Sequence, residues 1–237
     1  MENNKIIPAA VVALGIACGG FFPGYYYYQT HYNSRVVTVK GLAEKDVVAD
    51  TAIWNITFTV NGNNLTEAQK QIEAQNTEII RFLKRNGFDE AEISSGRIET
   101  NDLMANPYRD TNSAEASRFI LTQTVTVRSD KVNLIADALA KSNELIGKGI
   151  VFSSQTANYF FTKLNDIKPE LLKEATENAG KAAQEFAANS GSQVGKIQNA
   201  NQGVITIISR DNPDAYETSQ INKKVRVVST VTYLLKD

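Results

Sequence analysis

A chain of 237 residues with 42% hydrophobic and 22% charged side chains is long enough to bury a substantial core, as one domain or two small packed ones. Its 25 Lys and Arg against 26 Asp and Glu leave a net charge of -1, without the basic excess that phosphate-backbone binding requires, so the composition argues against a nucleic-acid partner. One cysteine, Cys18, and one histidine, His31, rule out an internal disulfide and leave Ser-His-Asp, Cys-His and His-built metal centres without their base or ligands.

From Ile6 to Ser34 the chain carries no Asp, Glu, Lys or Arg. Ile6 to Phe22 is the helix-compatible part, and at about 1.5 Å rise per residue it reaches roughly 25 Å, near the lower limit for a bilayer span. The anchoring side chains are Ile6, Val11, Val12, Leu14, Ile16, Phe21 and Phe22. Phe21, Phe22, Tyr25 to Tyr28 and Tyr32 would fix the outer end in the headgroup layer. Three fates are open to the segment. It is retained as a signal-anchor; or it is cleaved before Cys18, since Lys5, Ile6 to Leu14 and Gly15-Ile16-Ala17 supply a positive start, an apolar run and small residues in order; or Cys18 is lipidated at that same cut, although Gly15 stands where a leucine is usual. Span length and aromatic placement favour the retained anchor. Gly15, Gly19, Gly20, Pro23 and Gly24 would weaken a buried helix in water. Residues 1–34 are thus an anchor and polar tether, and residues 35–237 a folded domain delivered across the membrane.

Period-2 alternation follows, with Val37 and Val39, then Trp54, Ile56, Phe58 and Val60 opposing Ile53, Asn55, Thr57 and Thr59, which predicts two strands closed by "NGNN". A helix is predicted from Thr66 to Asn86, with Thr66 and Gln69 as a capping box, Ala68, Ile72, Ile79, Phe82 and Leu83 on one face, and Gly87 as a left-handed stop. "EISSGRIETNDL" and "RFILTQTVTVRS" read as strands around a polar loop, Asn106 to Ser117. A connecting helix, Lys131 to Ser142, turns Val132, Ile135, Ala138 and Leu139 inward. The order then recurs: strand "GKGIVFSSQTANYFF"; a helix from Pro169, a favourable first position, to Gly191; and strands "VGKIQNANQGVITIIS" and "KKVRVVSTVTYLL" around a second loop, Arg210 to Asn222. The second helix has an apolar face of Leu171, Leu172, Ala175, Ala179, Ala182, Ala183 and Phe186. Two similar halves, 35–129 and 143–237, make the expected fold α+β, with duplicated βαββ halves and antiparallel sheets packed against two long helices.

Chemistry-bearing residues are sparse. Asp89, Glu90 and Glu92 could hold a hard cation, but lack calcium-loop spacing and read as a solvated turn. "LIGKGI" around Lys148 lacks the following helix of a phosphate loop. Ser94-Ser95 and Ser153-Ser154 have no nearby base. Asn55-Ile56-Thr57 and Asn64-Leu65-Thr66 match the glycosylation triplet. Neither catalytic, cofactor nor metal residues are assigned. The two long loops offer Tyr108, Arg109, Arg210 and Tyr216 as binding residues.

Two stretches carry a family resemblance. "VTVKGLAEKDVVADTAIWNITFTVNG", residues 37–62, with Gly41 and Asp50-x-Ala52, and "KEATENAGKAAQEFAANSGSQVGKIQNANQG", residues 173–203, with Gly191 and Gly195-Lys196-Ile197, resemble SIMPL-domain proteins; Ala49 stands where many members carry Pro. The resemblance implies an exported bacterial protein with βαββ-type halves, often linked to oxidative-stress defence, whose relatives include ring-forming periplasmic proteins and a kinase-signalling adaptor, with no agreed catalytic residue. The expected function is therefore a non-enzymatic, membrane-anchored envelope protein facing the periplasm, or periplasmic after cleavage. It is expected to form a homo-oligomer and to serve stress defence by binding or scaffolding. The alternative is a small-ligand or protein-binding module that uses the long loops.

Overall fold

The computed structural model describes residues 6–31, 35–105 and 117–236. In chain order these form α1 (Ile6–His31), β1 (Val36–Val48), β2 (Thr51–Gly62), α2 (Leu65–Arg85), β3 (Ile93–Ser95), β4 (Glu99–Asp102), β5 (Phe119–Ser129), α3 (Val132–Lys141), α4 (Asn143–Ile146), β6 (Val151–Phe160), α5 (Leu164–Asn189), β7 (Gln193–Gln202), β8 (Thr206–Ser209) and β9 (Asn222–Lys236). The fold class is α+β, with antiparallel sheets.

The first helix is longer than its apolar pattern predicts. It runs on through Pro23 to His31, taking in part of the expected tether, because proline removes one helical amide without stopping a segment whose neighbouring turns keep their bonds. At about 1.5 Å per residue the apolar stretch Ala10–Tyr28 measures close to 28 Å. Val11, Val12, Leu14, Ile16, Phe21 and Phe22 are all exposed, so none is spent on a protein core. Phe21 stacks on Tyr25 with ring centroids 5.8 Å apart and meets Phe22 edge-on at 5.9 Å.

The chain divides into two compact units. One gathers Glu44–Lys168 and Thr206–Val225; the other gathers Met1–Ala43, Pro169–Ile205 and Arg226–Asp237. In the Glu44–Lys168 unit the strand order is β3-β5-β2-β6, with β4 also on β5. The alternation in β2 works as expected: Ala52, Trp54, Ile56, Phe58 and Val60 are buried, while Ile53, Asn55, Thr57 and Thr59 are not. Burying each large side chain contributes about 1.5–3 kcal/mol, so a one-residue slip that turned Asn55 and Thr57 inward would forfeit several of them at once. Opposite β2, register is pinned by the pairs Trp54↔Val127 and Ile56↔Val125. On the solvent-side face, Thr57 and Thr124 share a hydroxyl hydrogen bond at 3.0 Å and Thr126 Oγ1 donates to Asn55 Oδ1 at 2.9 Å. The glycosylation triplet at Asn55 is thus locked into a strand.

The helix α2 buries the face read from its sequence, Ala68, Ile72, Ile79, Phe82 and Leu83, in the same cluster as Trp54 and Phe58. Its cap differs from the expected one. Asn64, not Thr66, is the N-cap: its Oδ1 accepts from the amides of Thr66 at 2.9 Å and Glu67 at 3.3 Å, since asparagine just ahead of the first turn reaches both orphan donors. Gly87 follows with a φ of 97°, the left-handed stop. In α3, Val132, Ile135 and Ala138 are buried and Leu139 packs beside them. The expected strand over "EISSGRIETNDL" divides into β3 and β4, both on β5, with residues 96–98 between them. β6 joins β2 as its second neighbour, from Thr51↔Phe160 to Thr59↔Val151, with a bulge at Thr57/Phe58.

The helix α5 begins at Leu164, so Pro169 lies inside it and not at its start, and from Pro169 onward it belongs to the other unit. The buried face is Leu171, Ala175, Ala179, Ala183 and Ala187, a stripe shifted from the expected one, and Phe186 is 63% exposed. Small residues on that stripe let backbone meet backbone. Gly41 of β1 lies so near the helix that a Cβ there would fall 1.9 Å from Ala175 O and 2.4 Å from Ala179 N. Ala179 and Ala183 cluster with Val39, Val231 and Tyr233. The sheet order is β1-β9-β7; β8, which also pairs with β9, belongs to the Glu44–Lys168 unit. β7 is an edge strand, mostly exposed and twice bulged between Val194 and Asn199, a feature that discourages edge-to-edge pairing.

Candidate functional site

The most developed polar arrangement surrounds Asp50, the acidic residue of Asp50-x-Ala52 at the start of β2. Its carboxylate accepts from Thr162 N at 3.0 Å to each oxygen, Thr162 Oγ1 at 2.8 Å, Lys163 N at 3.2 Å and Thr51 Oγ1 at 3.2 Å. Burial pushes the carboxyl pKa upward, but the bonds from Thr162, Lys163 and Thr51 outweigh it and hold the group below its ordinary value. The backbone closes the same joint, with Asp50 N donating to Phe160 O at 2.9 Å. Asp50 is therefore a clamp that fixes the end of β6 and the Phe161–Lys163 turn against the start of β2.

Beside the clamp opens a cavity of about 310 Å³ lined by Thr51, Ile53, Arg128, Phe160, Phe161 and Thr162. Strand register brings its walls together: Ile53 faces Arg128 across β2 and β5, and Thr51 faces Phe160 across β2 and β6. Arg128, Phe161 and Thr162 were not singled out by sequence reasoning. The available signal was that Arg128 closes the polar phase of "TVTVR" and that paired phenylalanines precede a threonine; their meeting depends on strand pairing.

The acidic turn at Asp89 and Glu92 is occupied by the protein's own cation. Lys131 Nζ donates to Asp89 Oδ2 at 3.1 Å and Glu92 Oε2 at 3.3 Å, while Ser129 Oγ donates to Glu92 Oε1 at 2.5 Å. Burial raises the Glu92 pKa; the bonds from Ser129, Asp89 N and Lys131 bring it below the ordinary value. Glu90 pairs with Lys84 at 2.8 Å. The turn is structural, and among the described residues no group of three or more His, Cys, Asp or Glu is arranged for a metal ion. Lys148 of "LIGKGI" pairs with Glu78, and a turn at Gly149 leads into β6.

Of the loop residues, Tyr108 and Arg109 lie outside the described residues. Arg210 is bound to its neighbour, Nε donating to Asp211 Oδ1 at 2.7 Å, which raises its own pKa and lowers that of Asp211. Tyr216 is 87% exposed. Neither Arg210 nor Tyr216 lines the cavity beside the clamp. The structure adds a contact that ties the same loop to β9: Lys223 of that strand, fully buried, donates to Glu217 O at 2.5 Å and ion-pairs with Glu217 Oε1 at 2.6 Å. In the first helix, Cys18 is exposed among apolar side chains.

These features define an α+β protein behind an exposed apolar helix. The chain belongs to the SIMPL family: the family model, described as "Protein of unknown function (DUF541)", matches residues 37–233. It is similar to the uncharacterized protein YggE of Edwardsiella ictaluri (strain 93-146), 31% identical over 110 residues, which make up 45% of this chain and 45% of that protein. The matched segment thus spans less than half of that relative.

Proposed function

We propose that this chain is a non-catalytic SIMPL protein of the bacterial cell envelope, tethered to the inner membrane by α1, with its folded part facing the periplasm. It self-associates there and serves stress defence by binding or scaffolding. The observation that carries the tether is the stretch Ala10–Tyr28, apolar, long enough to cross a bilayer and with none of its length covered by protein. In water such a surface would aggregate; in lipid its side chains are solvated and its backbone is satisfied within the helix. The Lys131 network and the Lys223 pair join ionisable groups to one another, and the Asp50 carboxylate is taken up by threonine hydroxyls and backbone amides, which favours a structural reading of all three over an acid–base one. Recurrence of a helix and then two strands that both pair with the long strand after them, in α2-β3-β4-β5 and α5-β7-β8-β9, supports an internal duplication, with halves near 35–129 and 143–237.

Fractionation of cells expressing the full chain tests this reading. The chain should stay with membranes through an alkaline carbonate wash, become protease-sensitive when only the outer envelope is opened, and have an intact mass that includes residues 1–34. A soluble cytoplasmic chain would refute it, and a mass beginning at Cys18 would replace the tether with cleavage or lipidation. Light scattering on the full chain in detergent tests self-association; a strict monomer would remove that part.

A further inference from the structure

The geometry points to the Arg128–Phe160–Phe161 cavity as a binding site for a small organic carboxylate that carries an apolar or aromatic body and a hydrogen-bond donor. This deepens the binding part of the reading above and does not depend on the tether. Among the described residues the Arg128 side chain has neither an ion-pair nor a hydrogen-bond partner, although arginine elsewhere in the chain is paired, as Arg118 is with Asp102 at 2.9 Å and Arg210 with Asp211. A planar guanidinium without a partner beside apolar walls is the complement of a carboxylate, which it can bind through two parallel bonds. The walls are Ile53, Phe160 and Phe161, the last two half-buried, so the ligand body is apolar.

The threonines that line the cavity specify a donor. Thr51 and Thr162 both give their hydroxyl protons to Asp50, which leaves only oxygen lone pairs for a ligand. Those lone pairs accept an N–H or O–H and repel anionic oxygens, as does the Asp50 carboxylate behind them. A single arginine and hydroxyls left only as acceptors therefore favour a monoanion over a phosphate dianion. Volume agrees: about 310 Å³ stands at the small end of ligand sites. The Asp50 clamp and the ladder on either side of β2 hold the walls in place before any ligand arrives, which limits the ordering cost of binding.

N-acetyl-L-phenylalanine combines the three features and serves as the probe. With the full chain in lipid nanodiscs at low salt, calorimetric titration or ligand-observed NMR should show saturable binding with a Kd on the order of 1 mM, as expected for a ligand of this size. N-acetyl-L-phenylalaninamide, which lacks the charge, and acetate, which lacks the body, should each bind at least tenfold more weakly. Arg128→Gln should weaken the probe at least tenfold with the circular dichroism of the fold unchanged, and Arg128→Lys should recover part of the loss. Partition of the probe into lipid would be the same for both variants, so equal signals from wild type and Arg128→Gln would overturn the inference, as would binding of the amide as tight as that of the acid. Loss of binding in a chain that remains in the membrane fraction would leave the tether reading intact.

Discussion

Replacing Gly41 by alanine puts the helix–strand contact of the Pro169–Ile205 unit under direct test. The added Cβ would lie 1.9 Å from Ala175 O, 2.4 Å from Ala179 N and 2.9 Å from Ala179 Cβ. Since a carbon needs more than 3 Å from each of them, strand and helix must separate by over ~1 Å, a gap at which van der Waals attraction has already lost a quarter to a half of its depth. Ala179 and Ala183 would then lose contact with Val39 and Val231. Overpacking of this kind costs about 1–3 kcal/mol or more, and the two closest obstacles are backbone atoms that no rotamer change can move. About 3 kcal/mol corresponds to a fall in Tm of roughly 6–12 °C for a chain of this size. Thermal melts of the full chain followed by circular dichroism measure it. Gly62→Ala is the control, because its nearest neighbour, Ala68 Cβ, lies at an ordinary 3.4 Å, and its Tm should change far less. The double variant Gly41→Ala/Ala179→Gly should not recover, since it removes a methyl group and leaves the carbonyl and amide in place. A Gly41→Ala chain melting within 1 °C of wild type, or full rescue by Ala179→Gly, would refute this account of the motif glycine.

Asp50→Asn should cost about 1–2 kcal/mol at neutral pH by urea denaturation, through loss of charge-assisted bonds to Thr162 and Lys163. Because the folded-state pKa of Asp50 lies below the ordinary value of an aspartate, its contribution is fully present above that ordinary value and lost as pH falls through the lowered one; the gap between wild type and Asp50→Asn should therefore close in acid. A gap independent of pH would show that the carboxylate charge is not the stabilising element. In the Arg210–Asn222 loop, Glu217→Ala strands the buried Lys223 cation and should destabilise toward the lower end of about 3–5 kcal/mol, whereas Lys223→Met removes charge and burial cost together and should be near neutral or stabilising; the reverse order in denaturant titrations would overturn the pairing argument. Ile16→Arg adds a charge within the apolar helix at about 2.5–3.5 kcal/mol for an inserted segment, so carbonate-resistant membrane association should fall, and unchanged association would count against α1 as a span.

Local pattern sufficed for what depends on neighbours in the chain. The uncharged run from Ile6, the alternation that turns Trp54, Ile56 and Phe58 inward, and the five-residue buried face of α2 are legible because burial imposes a period of 2 or 3.6 on consecutive residues, or removes charge from a lipid-length segment. The same reasoning placed the start of α5 at Pro169 and left Phe186 on the inner face. A proline is tolerated inside a helix that has other bonds to hold it, and a stripe of alanines hardly marks which side faces the sheet.

The binding cavity could not be read that way. Arg128, Ile53 and Phe160 stand on three strands far apart in sequence, and only the pairing of β2 with both β5 and β6 sets them side by side. The family resemblance marked Gly41 and Asp50 as motif residues; the fold supplied their reasons, one as the point where backbone meets backbone and the other as a clamp on a distant turn. Sequence thus determined which faces are apolar and that a lipid-length helix precedes the folded body, because those are properties of contiguous residues. Tertiary structure decided which strand edges meet, where a lysine is buried and where an arginine has no partner among the described residues, because these depend on contacts between segments that no local period encodes.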